Sequence, residues 1–264
     1  MLRHDDQDPM MGDVLCPICQ TASTLLDVVD FNKSCEEIKG DFLPLSGRPI
    51  YYVGCPQCGF VFAPEMHQWS PQEFAKHVYN DTYIDIDPDY LEVRPTVNAE
   101  TLEKMFLGKA SQFKHLDYGA GQGLLSLKLN RKGWCSTAYD PFDVASKKLD
   151  ELGRYGLITA FEVFEHASDV QQLMAQIKAL LITDGVVLFS TLLSDGQIKP
   201  NARLAWWYAA PRNGHISLFS RHSLSLLAQQ HGFHFGSFSE GFHVLFTNPP
   251  AWAVHLLNAP ATSS

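Results

Sequence analysis

The fold is decided by residues 113–123, which read FKHLDYGAGQG. Residues 113–118 predict a strand, and the three glycines that follow predict a tight turn. An apolar helix is expected directly after the turn, from Leu124 to about Lys132. A strand, a glycine-dense turn and a helix in this order let a ligand approach the backbone closely, because no side chain blocks it. The segment therefore predicts a nucleotide-binding α/β unit.

A second strand and a carboxylate at its end support this interpretation. Residues 134–139 predict the strand, and Asp140 follows it, 17 residues beyond Gly123. A carboxylate roughly 20 residues after such a turn is placed to hold the hydroxyl pair of a ribose. The glycine spacing is G-x-G-x-G, whereas dinucleotide-binding folds use G-x-G-x-x-G. The spacing therefore disfavours a dinucleotide-dependent oxidoreductase.

With Asp117 two residues before the glycines, the segment resembles motif I of the class I S-adenosylmethionine-dependent methyltransferases. The resemblance extends over residues 113–248. Further matches follow in order: the fourth strand and its turn (157–166), a helix (169–181), a turn at Asp184-Gly185, a buried strand (186–191), a helix after residues 217–223 that ends near 231–232, and a final pair of strands (233–239 and 242–247). An ordered set of this kind is hard to obtain by chance.

The resemblance implies which residues contact the cofactor. The backbone of Gly119–Gly123 would lie against its amino-acid and ribose part, Asp117 would orient the turn or the methionine ammonium, and Asp140 would hold the ribose. The implied contacts are Asp117, Tyr118, Gly119, Ala120, Gly121, Gly123, Asp140, Pro141, Phe142, Phe161 and Glu162. Pro141 and Phe142 are the apolar candidates nearest the ribose acid.

One segment departs from the family pattern. Only 18 residues separate Asp140 from Ile158, and they are expected to hold one helix, over residues 142–152. A further strand with its own crossover helix needs about a dozen more residues. We therefore predict an α/β fold with a Rossmann-like class I methyltransferase sheet whose third strand is shortened or missing.

Two Cys-x-x-Cys turns precede this domain, at Cys16/Cys19 and at Cys55/Cys58. Two thiolates on one tight turn can both face a single ion, and two such turns complete a tetrahedral four-sulfur site. The pattern predicts a small zinc-ribbon-like module with a closed, structural zinc site, and it resembles the methyltransferase branch that carries such a module. Cys35 and Cys135 have no partner of this kind.

The domain boundaries follow from these motifs. We expect a zinc-binding module at 12–66, a helical connecting or cover segment at 67–112, the methyltransferase domain at 113–250 and a tail at 251–264. Residues 1–95 carry 6 Lys and Arg against 16 Asp and Glu, a net charge of −10, which makes a nucleic-acid partner unfavourable. No secretory signal or membrane span is visible, so a cytoplasmic location is expected.

The catalytic candidates lie after the fourth strand. Glu162, Glu165 and His166 converge if their turn is helical, and His215 directly follows a long insertion, 192–214. These four residues resemble the divalent-metal site of O-methyltransferases that act on ubiquinone precursors or on small RNAs. The alternatives are a structural corner at Glu165-His166 and metal-free general-base catalysis by His215. Trp206-Trp207-Tyr208 on the insertion predict either a substrate lid or packing against the zinc module.

The predicted function is methyl transfer from S-adenosylmethionine to an oxygen or carbon of a small-molecule or glycosyl acceptor. The expected cofactors are S-adenosylmethionine, a structural zinc and, in one interpretation, a catalytic divalent metal. An RNA methyltransferase and a non-catalytic zinc-containing interaction module remain the alternatives. The oligomeric state cannot be predicted from these patterns.

Overall fold

The computed structural model describes residues 14–142, 148–199 and 201–257. The strands in this part of the chain are β1 (Thr24–Asp30), β2 (Pro49–Gly54), β3 (Val61–Phe62), β4 (His115–Tyr118), β5 (Ser136–Tyr139), β6 (Tyr155–Phe161), β7 (Leu181–Ser190), β8 (Ser217–Leu218), β9 (His234–Ser237) and β10 (Phe242–Phe246). The α-helices are α1 (Pro64–His67), α2 (Pro71–His77), α3 (Tyr83–Ile86), α4 (Val93–Met105), α5 (Leu124–Asn130), α6 (Val170–Leu180), α7 (Arg221–Gln230) and α8 (Val254–Leu257). None of these helices has the length and apolar composition needed to cross a membrane.

The larger sheet has the strand order β5-β4-β6-β7-β10-β9. Its first four strands are parallel, and β10 is antiparallel to both of its neighbours. Alternate residues of β7 face opposite sides of the sheet, as the two-residue period of a strand requires. Val186 and Leu188 share a buried cluster with α4 and α5, whereas Val187 and Phe189 share one with α6 and α7. Helices therefore cover both faces of a mixed sheet, and the predicted α/β fold is confirmed.

The edge strand β5 marks the departure expected from the sequence. Between β5 and β6, the described residues 140–142 and 148–154 contain one short 3-10 helix, Leu149–Glu151, and no strand. Of the helix predicted over 142–152, residues 143–147 lie outside the described part of the chain, and the described remainder forms only the 3-10 helix at 149–151.

The prediction of a turn at Asp184-Gly185 is wrong, because both residues lie inside β7. The helix α6 leads straight into the strand, since Leu181 is buried and pairs with Tyr155. The pairing then shifts to Leu157 with Val186, so the intervening residues of β7 form a bulge. A Cβ atom at Gly185 would lie 2.6 Å from Leu181 Cγ, which explains the glycine at this position.

The smaller sheet joins three strands near the N-terminus to a strand that follows the long insertion. Its order is β1-β2-β3-β8, and all of its pairs are antiparallel. The strand β8 follows the long insertion, and its Leu218 and Ser217 pair with Val61 and Phe62 of β3. The predicted module at 12–66 thus shares its sheet with residues 217–218, more than 150 positions further along the chain.

The connecting segment and the tail both pack on the body of the protein. Ser70 caps α2 through a capping box with Glu73, and Pro71 occupies the first turn of the helix, as its sequence predicts. In the tail, the Trp252 ring lies 4.4 Å from the Phe113 ring, centroid to centroid. Residues 258–264 of the predicted tail lie outside the described part of the chain.

Candidate active site

A cavity of about 990 Å³ opens where β4, β5 and β6 end. The glycine turn, Asp140 with the two residues after it, and the turn after β6 form one wall. Residues of the connecting segment and of the 3-10 helix Cys35–Lys39 also line the cavity. Open α/β sheets bind ligands outside the carboxyl ends of their strands, so the cavity lies where the fold predicts a ligand site.

The glycine turn leaves room beside the backbone. Gly119, Gly121 and Gly123 all have positive φ angles, of 77°, 51° and 74°. A Cβ atom at Gly119 would lie 2.4 Å from Val163 Cγ2, whereas one at Gly121 would meet no atom within 4 Å. Gly119 thus permits close packing against the turn after β6, and Gly121 faces open space.

Most of the predicted cofactor residues line this cavity. Those on its wall are Asp117, Tyr118, Gly119, Ala120, Gly121, Asp140, Pro141, Phe142, Phe161 and Glu162. Gly123 does not line the cavity; it is the N-cap of α5, and a Cβ atom there would lie 3.1 Å from Ala138.

Two carboxylates flank the turn. Asp140 accepts hydrogen bonds from the backbone N–H groups of Gly121, at 2.7 Å, and of Phe142, at 2.8 Å. Asp117 is 4% exposed, and its Oδ1 atom accepts a hydrogen bond from Thr159 Oγ1 at 2.9 Å. Burial raises the pKa of Asp117 to about 7. Asp117 therefore titrates near neutral pH.

Glu162 occupies a strained backbone position. Its φ angle is 54°, in the left-handed region that disfavours side chains with a Cβ atom. Ser190 stabilises this conformation twice: its Oγ atom accepts from Glu162 N at 2.8 Å and donates to Glu162 Oε1 at 2.7 Å. Strain of this kind is concentrated at functional sites in proteins.

Three of the four predicted metal-binding residues come together. Glu165, His166 and His215 each offer one ligand atom, and these atoms all lie within 4.8 Å of one another. The backbone N–H of Ile216 donates to Glu165 O at 2.9 Å, which joins the insertion to the turn after β6. Glu162 is not a member of this group.

The hydrogen bonds around the group leave its ligand atoms available. His215 Nδ1 lies 2.9 Å from Tyr208 O, and His166 Nδ1 lies 3.1 Å from Gly214 O. Because a carbonyl oxygen only accepts, His215 Nδ1 carries the proton and its Nε2 keeps its lone pair, whereas His166 Nδ1 also lies 3.0 Å from the Tyr79 hydroxyl, which can donate to it. Metal-binding histidines in proteins are oriented in this way.

Glu165 is completely buried, and only one of its two carboxylate oxygens accepts a hydrogen bond from the described residues. Tyr208 donates to its Oε1 atom at 2.7 Å, and its Oε2 atom has no hydrogen-bond partner among the described residues. Burial, followed by the nearby Glu162 charge, raises the pKa of Glu165 well above its usual value. Burial also lowers the pKa of His166 to about 4 and that of His215 well below its usual value. In the absence of a cation, burial therefore favours the uncharged form of all three side chains.

The structure adds site residues that the sequence did not reveal. Cys35 lines the cavity, with its Sγ atom 3.7 Å from His215 Nδ1. Arg94 also lines the cavity and pairs with Asp87. More than 100 residues separate Cys35 from His215, and no spacing pattern marks the contact.

The aromatic insertion has a structural role and also lines the site. Trp206 and Tyr208 are buried in one cluster with Ile50 and Tyr52 of the smaller sheet. Trp207 and Tyr208 also line the cavity. The packing interpretation therefore holds for Trp206 and Tyr208.

The four N-terminal cysteines form a second group. Cys16 Sγ lies 3.6 Å from Cys58 Sγ, and Cys19 Sγ lies 3.3 Å from Cys55 Sγ. A disulfide would bring two sulfurs to about 2.05 Å. Four thiolates bound to one zinc at about 2.3 Å would lie roughly 3.8 Å apart, so the arrangement fits a four-sulfur metal site.

A model of a methyltransferase domain family matches residues 90–235, which is more than half of the chain. Two curated proteins named ubiquinone biosynthesis O-methyltransferase, from Actinobacillus pleuropneumoniae serotype 5b (strain L20) and serotype 7 (strain AP76), are each 32% identical over 106 residues. The alignments cover 30% of this chain and 45% of each relative, so the chain spans less than half the length of these proteins.

Similar solved structures include two proteins of Burkholderia thailandensis. One is described as an O-methyltransferase family protein; it has a TM-score of 0.49 and 13% identity, and covers 66% of this chain and 62% of its own. The other is 1,6-didemethyltoxoflavin-N1-methyltransferase, with a TM-score of 0.48 and 17% identity, covering 78% and 96%.

Proposed function

Because the chain belongs to the methyltransferase domain family, we propose that it is an S-adenosylmethionine-dependent methyltransferase that methylates a hydroxyl oxygen of a small-molecule acceptor. The observation that carries this proposal is the group of Glu165, His166 and His215 beside the cavity, where one Glu165 oxygen has no hydrogen-bond partner within the described ranges. The 32% identity to the two O-methyltransferases over 106 residues is consistent with oxygen as the acceptor atom.

The cofactor is proposed to lie against the glycine turn. The open space at Gly121 would accommodate it, and Asp140, beside that turn, would hold its ribose hydroxyls. Phe142 is 47% exposed and lies on the same wall, where its ring could contact the adenine. Asp117 would lie near the positively charged amino group of the cofactor. These residues orient the methyl donor, and methyl transfer then depends on aligning the acceptor oxygen with the sulfonium.

We assign Glu165, His166 and His215 to a divalent metal. Two neutral imidazoles and one carboxylate are a common donor set for catalytic divalent metals, and a cation would compensate the buried Glu165 carboxylate. When bound, such a metal would lower the pKa of an acceptor hydroxyl and so favour the nucleophilic alkoxide or phenolate. Tyr208 and the Gly214 carbonyl would hold the ligands in place.

Metal-free general-base catalysis by His215 is the second candidate. The Nε2 atom of His215 is unprotonated when Nδ1 donates to Tyr208 O, so it could accept the hydroxyl proton. The lowered pKa of His215 weakens it as a base, however, while the same neutral imidazole is the form that binds metals. The metal assignment therefore has the stronger physical basis.

We also assign a structural zinc to Cys16, Cys19, Cys55 and Cys58. The support is the sulfur spacing and the way the two cysteine turns are anchored. Ser220 Oγ donates to Cys58 O at 2.6 Å, and Gln230 Nε2 donates to Ile18 O at 2.7 Å. With four protein ligands the ion has no open position, so its role would be to stabilise the fold.

The test is transfer of labelled methyl groups from S-adenosylmethionine to a panel of phenolic and glycosyl hydroxyl acceptors. Activity is expected to require an added divalent metal and to fall at least 100-fold in the Glu165→Gln variant. Glu240→Gln, at an exposed position, is the matched control and should retain activity. Activity that survives both metal removal and Glu165→Gln, but is lost in His215→Ala, would assign catalysis to the general base instead.

A further inference from the structure

A continuous chain of buried hydrogen bonds lies behind the glycine turn. The sheet positions its members, because His115 and Asp117 are on β4, Ser136 is on β5 and Thr159 is on β6. His115 Nδ1 lies 2.7 Å from Ser136 Oγ, and His115 Nε2 lies 2.9 Å from Thr159 Oγ1. Thr159 Oγ1 in turn donates to Asp117 Oδ1 at 2.9 Å.

The imidazole in this chain is fully enclosed. Both His115 and Thr159 have no exposed surface. Burial lowers the pKa of His115 to about 3, so the ring is neutral at physiological pH and carries one N–H. A neutral ring between two hydroxyls must donate to one of them and accept from the other.

Proton counting couples the His115 tautomer to the charge on Asp117. The chain ends at Ser126, whose Oγ atom lies 2.8 Å from Ser136 Oγ. When Asp117 is a carboxylate, Thr159 donates to it, so His115 must donate to Thr159 through Nε2–H and accept from Ser136 at Nδ1, and Ser126 donates to Ser136. When Asp117 carries a proton on Oδ1, it donates to Thr159. Thr159 then donates to Nε2, His115 donates to Ser136 through Nδ1–H, and Ser136 donates to Ser126. Each state satisfies every donor between Asp117 and Ser136.

Within the described ranges, no charged group near Asp117 favours its carboxylate form, so a cationic ligand can decide between the two protonation states. The neighbouring titratable side chains are His115 and Tyr118 on β4, and Tyr139 and Asp140 at the end of β5. The Asp140 charge raises the pKa of Asp117 in the same direction as burial does. Among the described residues, no basic side chain contributes to the Asp117 shift, whereas the cofactor brings an ammonium and a sulfonium to the same cavity.

We propose that His115 and Thr159 are positioning residues that couple cofactor binding to loss of a proton from Asp117. Cofactor binding selects the Asp117 carboxylate with the Nε2–H tautomer of His115, and the free protein at and below neutral pH holds protonated Asp117 with the Nδ1–H tautomer. The inference rests on the proposed placement of the cofactor's cationic end near Asp117.

This coupling makes the affinity for S-adenosylmethionine depend on pH. The free protein binds one more proton than the complex, so affinity for S-adenosylmethionine increases as pH rises through the pKa of free Asp117, about 7. Affinity should therefore be about 10-fold tighter at pH 8 than at pH 6. Proton release should be close to one per site at pH 6 and small at pH 8.

Calorimetric titration of the full chain with S-adenosylmethionine, in buffers of different ionisation enthalpy, measures this release. The ligand's own amino group titrates equally in wild type and in Asp117→Asn, so the difference between them isolates Asp117. Thr159→Val removes the donor to the carboxylate and should shift the rise in affinity to higher pH, and Thr159→Ser should restore the wild-type profile. A purely structural role for Thr159 would instead lower affinity equally at every pH.

Nitrogen-15 NMR of histidine-labelled wild type gives a readout that needs no folded variant of Asp117. The His115 signals should change from the Nδ1–H to the Nε2–H tautomer when S-adenosylmethionine is added at pH 6.5. Binding with an unchanged tautomer, or with equal proton release in wild type and Asp117→Asn, would overturn the coupling alone. Failure to bind S-adenosylmethionine in any buffer would overturn both the coupling and the proposed function.

Discussion

At the residue scale, Glu165 is the most informative side chain in the protein. It is fully buried, one oxygen has no partner among the described residues, and two imidazoles face it. Burial disfavours the charge of a carboxyl group in this position, and a bound cation would offset that penalty. Glu165 therefore costs stability above its unfolded pKa whenever the site holds no metal.

The Glu165→Gln variant tests this cost. In the wild type, the pKa of Glu165 is higher in the folded protein than in the unfolded chain, where it is about 4.3. The contribution of Glu165 to the free energy of unfolding is therefore highest below about pH 4.3 and declines as pH rises above that value. Without added metal, Glu165→Gln should melt at a higher temperature than wild type at pH 8, by about 2–4 °C for each kcal/mol gained. At pH 4 the two should melt at similar temperatures.

Thermal unfolding monitored by circular dichroism makes this measurement, with Glu240→Gln as the exposed control. Added divalent metal should raise the melting temperature of wild type and leave Glu165→Gln unchanged. Equal melting temperatures of wild type and variant at pH 8, with and without metal, would contradict the account of Glu165.

The sequence indicated these residues only in part. Glu165, His166 and His215 could be proposed because two lie on one short turn and the third follows a long insertion. Tyr208 and Cys35 could not be identified as their neighbours, since their contacts depend on how the insertion and the smaller sheet pack. Glu162 was grouped with the metal residues because of its spacing, but its positive φ angle and Ser190 direct its carboxylate elsewhere.

At the element scale, the strand β8 connects the cysteine turns to the active site. It pairs with β3, and Ser217 Oγ donates to the carbonyl of Ala167 at 2.7 Å, just after the turn that holds Glu165. Tyr52 of β2 donates from its hydroxyl to His215 O at 2.7 Å. The smaller sheet thus positions His215.

This connection predicts a remote effect of losing the zinc. The Cys55→Ser variant should retain less than one zinc per chain and should increase hydrogen exchange at the amides of β8 and at His215, as well as in the cysteine turns. Elemental analysis and hydrogen-exchange mass spectrometry measure both effects. The control is Cys135→Ser, since Cys135 is exposed and is not a member of the four-sulfur group. Faster exchange confined to the first 66 residues would show that the module is energetically separate.

Element prediction succeeded where local patterns decide the structure and failed where long-range pairing does. The capping box of α2 and the glycine turn before α5 depend on neighbouring residues, so both could be read from the sequence. The Asp184-Gly185 pair resembles a turn locally, yet pairing of Leu181 with Tyr155 extends β7 past it. The two-residue strand β8 exists only because β3 lies beside it.

At the scale of the whole molecule, the cysteine turns and the catalytic sheet share one core. Cys16, Cys55 and Cys58 belong to the same buried cluster as Ile158 and Phe189 of the larger sheet. The segment between β1 and β2, residues 31–48, includes Cys35, which lines the cavity. N-terminal residues therefore help to form the candidate active site, and the separate sequence motifs did not reveal this connection.

The central claim is that the cofactor binds against the glycine turn, and calorimetric titration with S-adenosylhomocysteine tests it most directly. Gly121→Val and Gly196→Val are a matched pair: both glycines have positive φ angles, 51° and 73°, and a Cβ atom at either meets no protein atom within 4 Å. Only Gly121 lines the cavity. The account predicts one binding site per chain, at least 100-fold weaker in Gly121→Val and unchanged in Gly196→Val. Equal affinity in the two variants would contradict it.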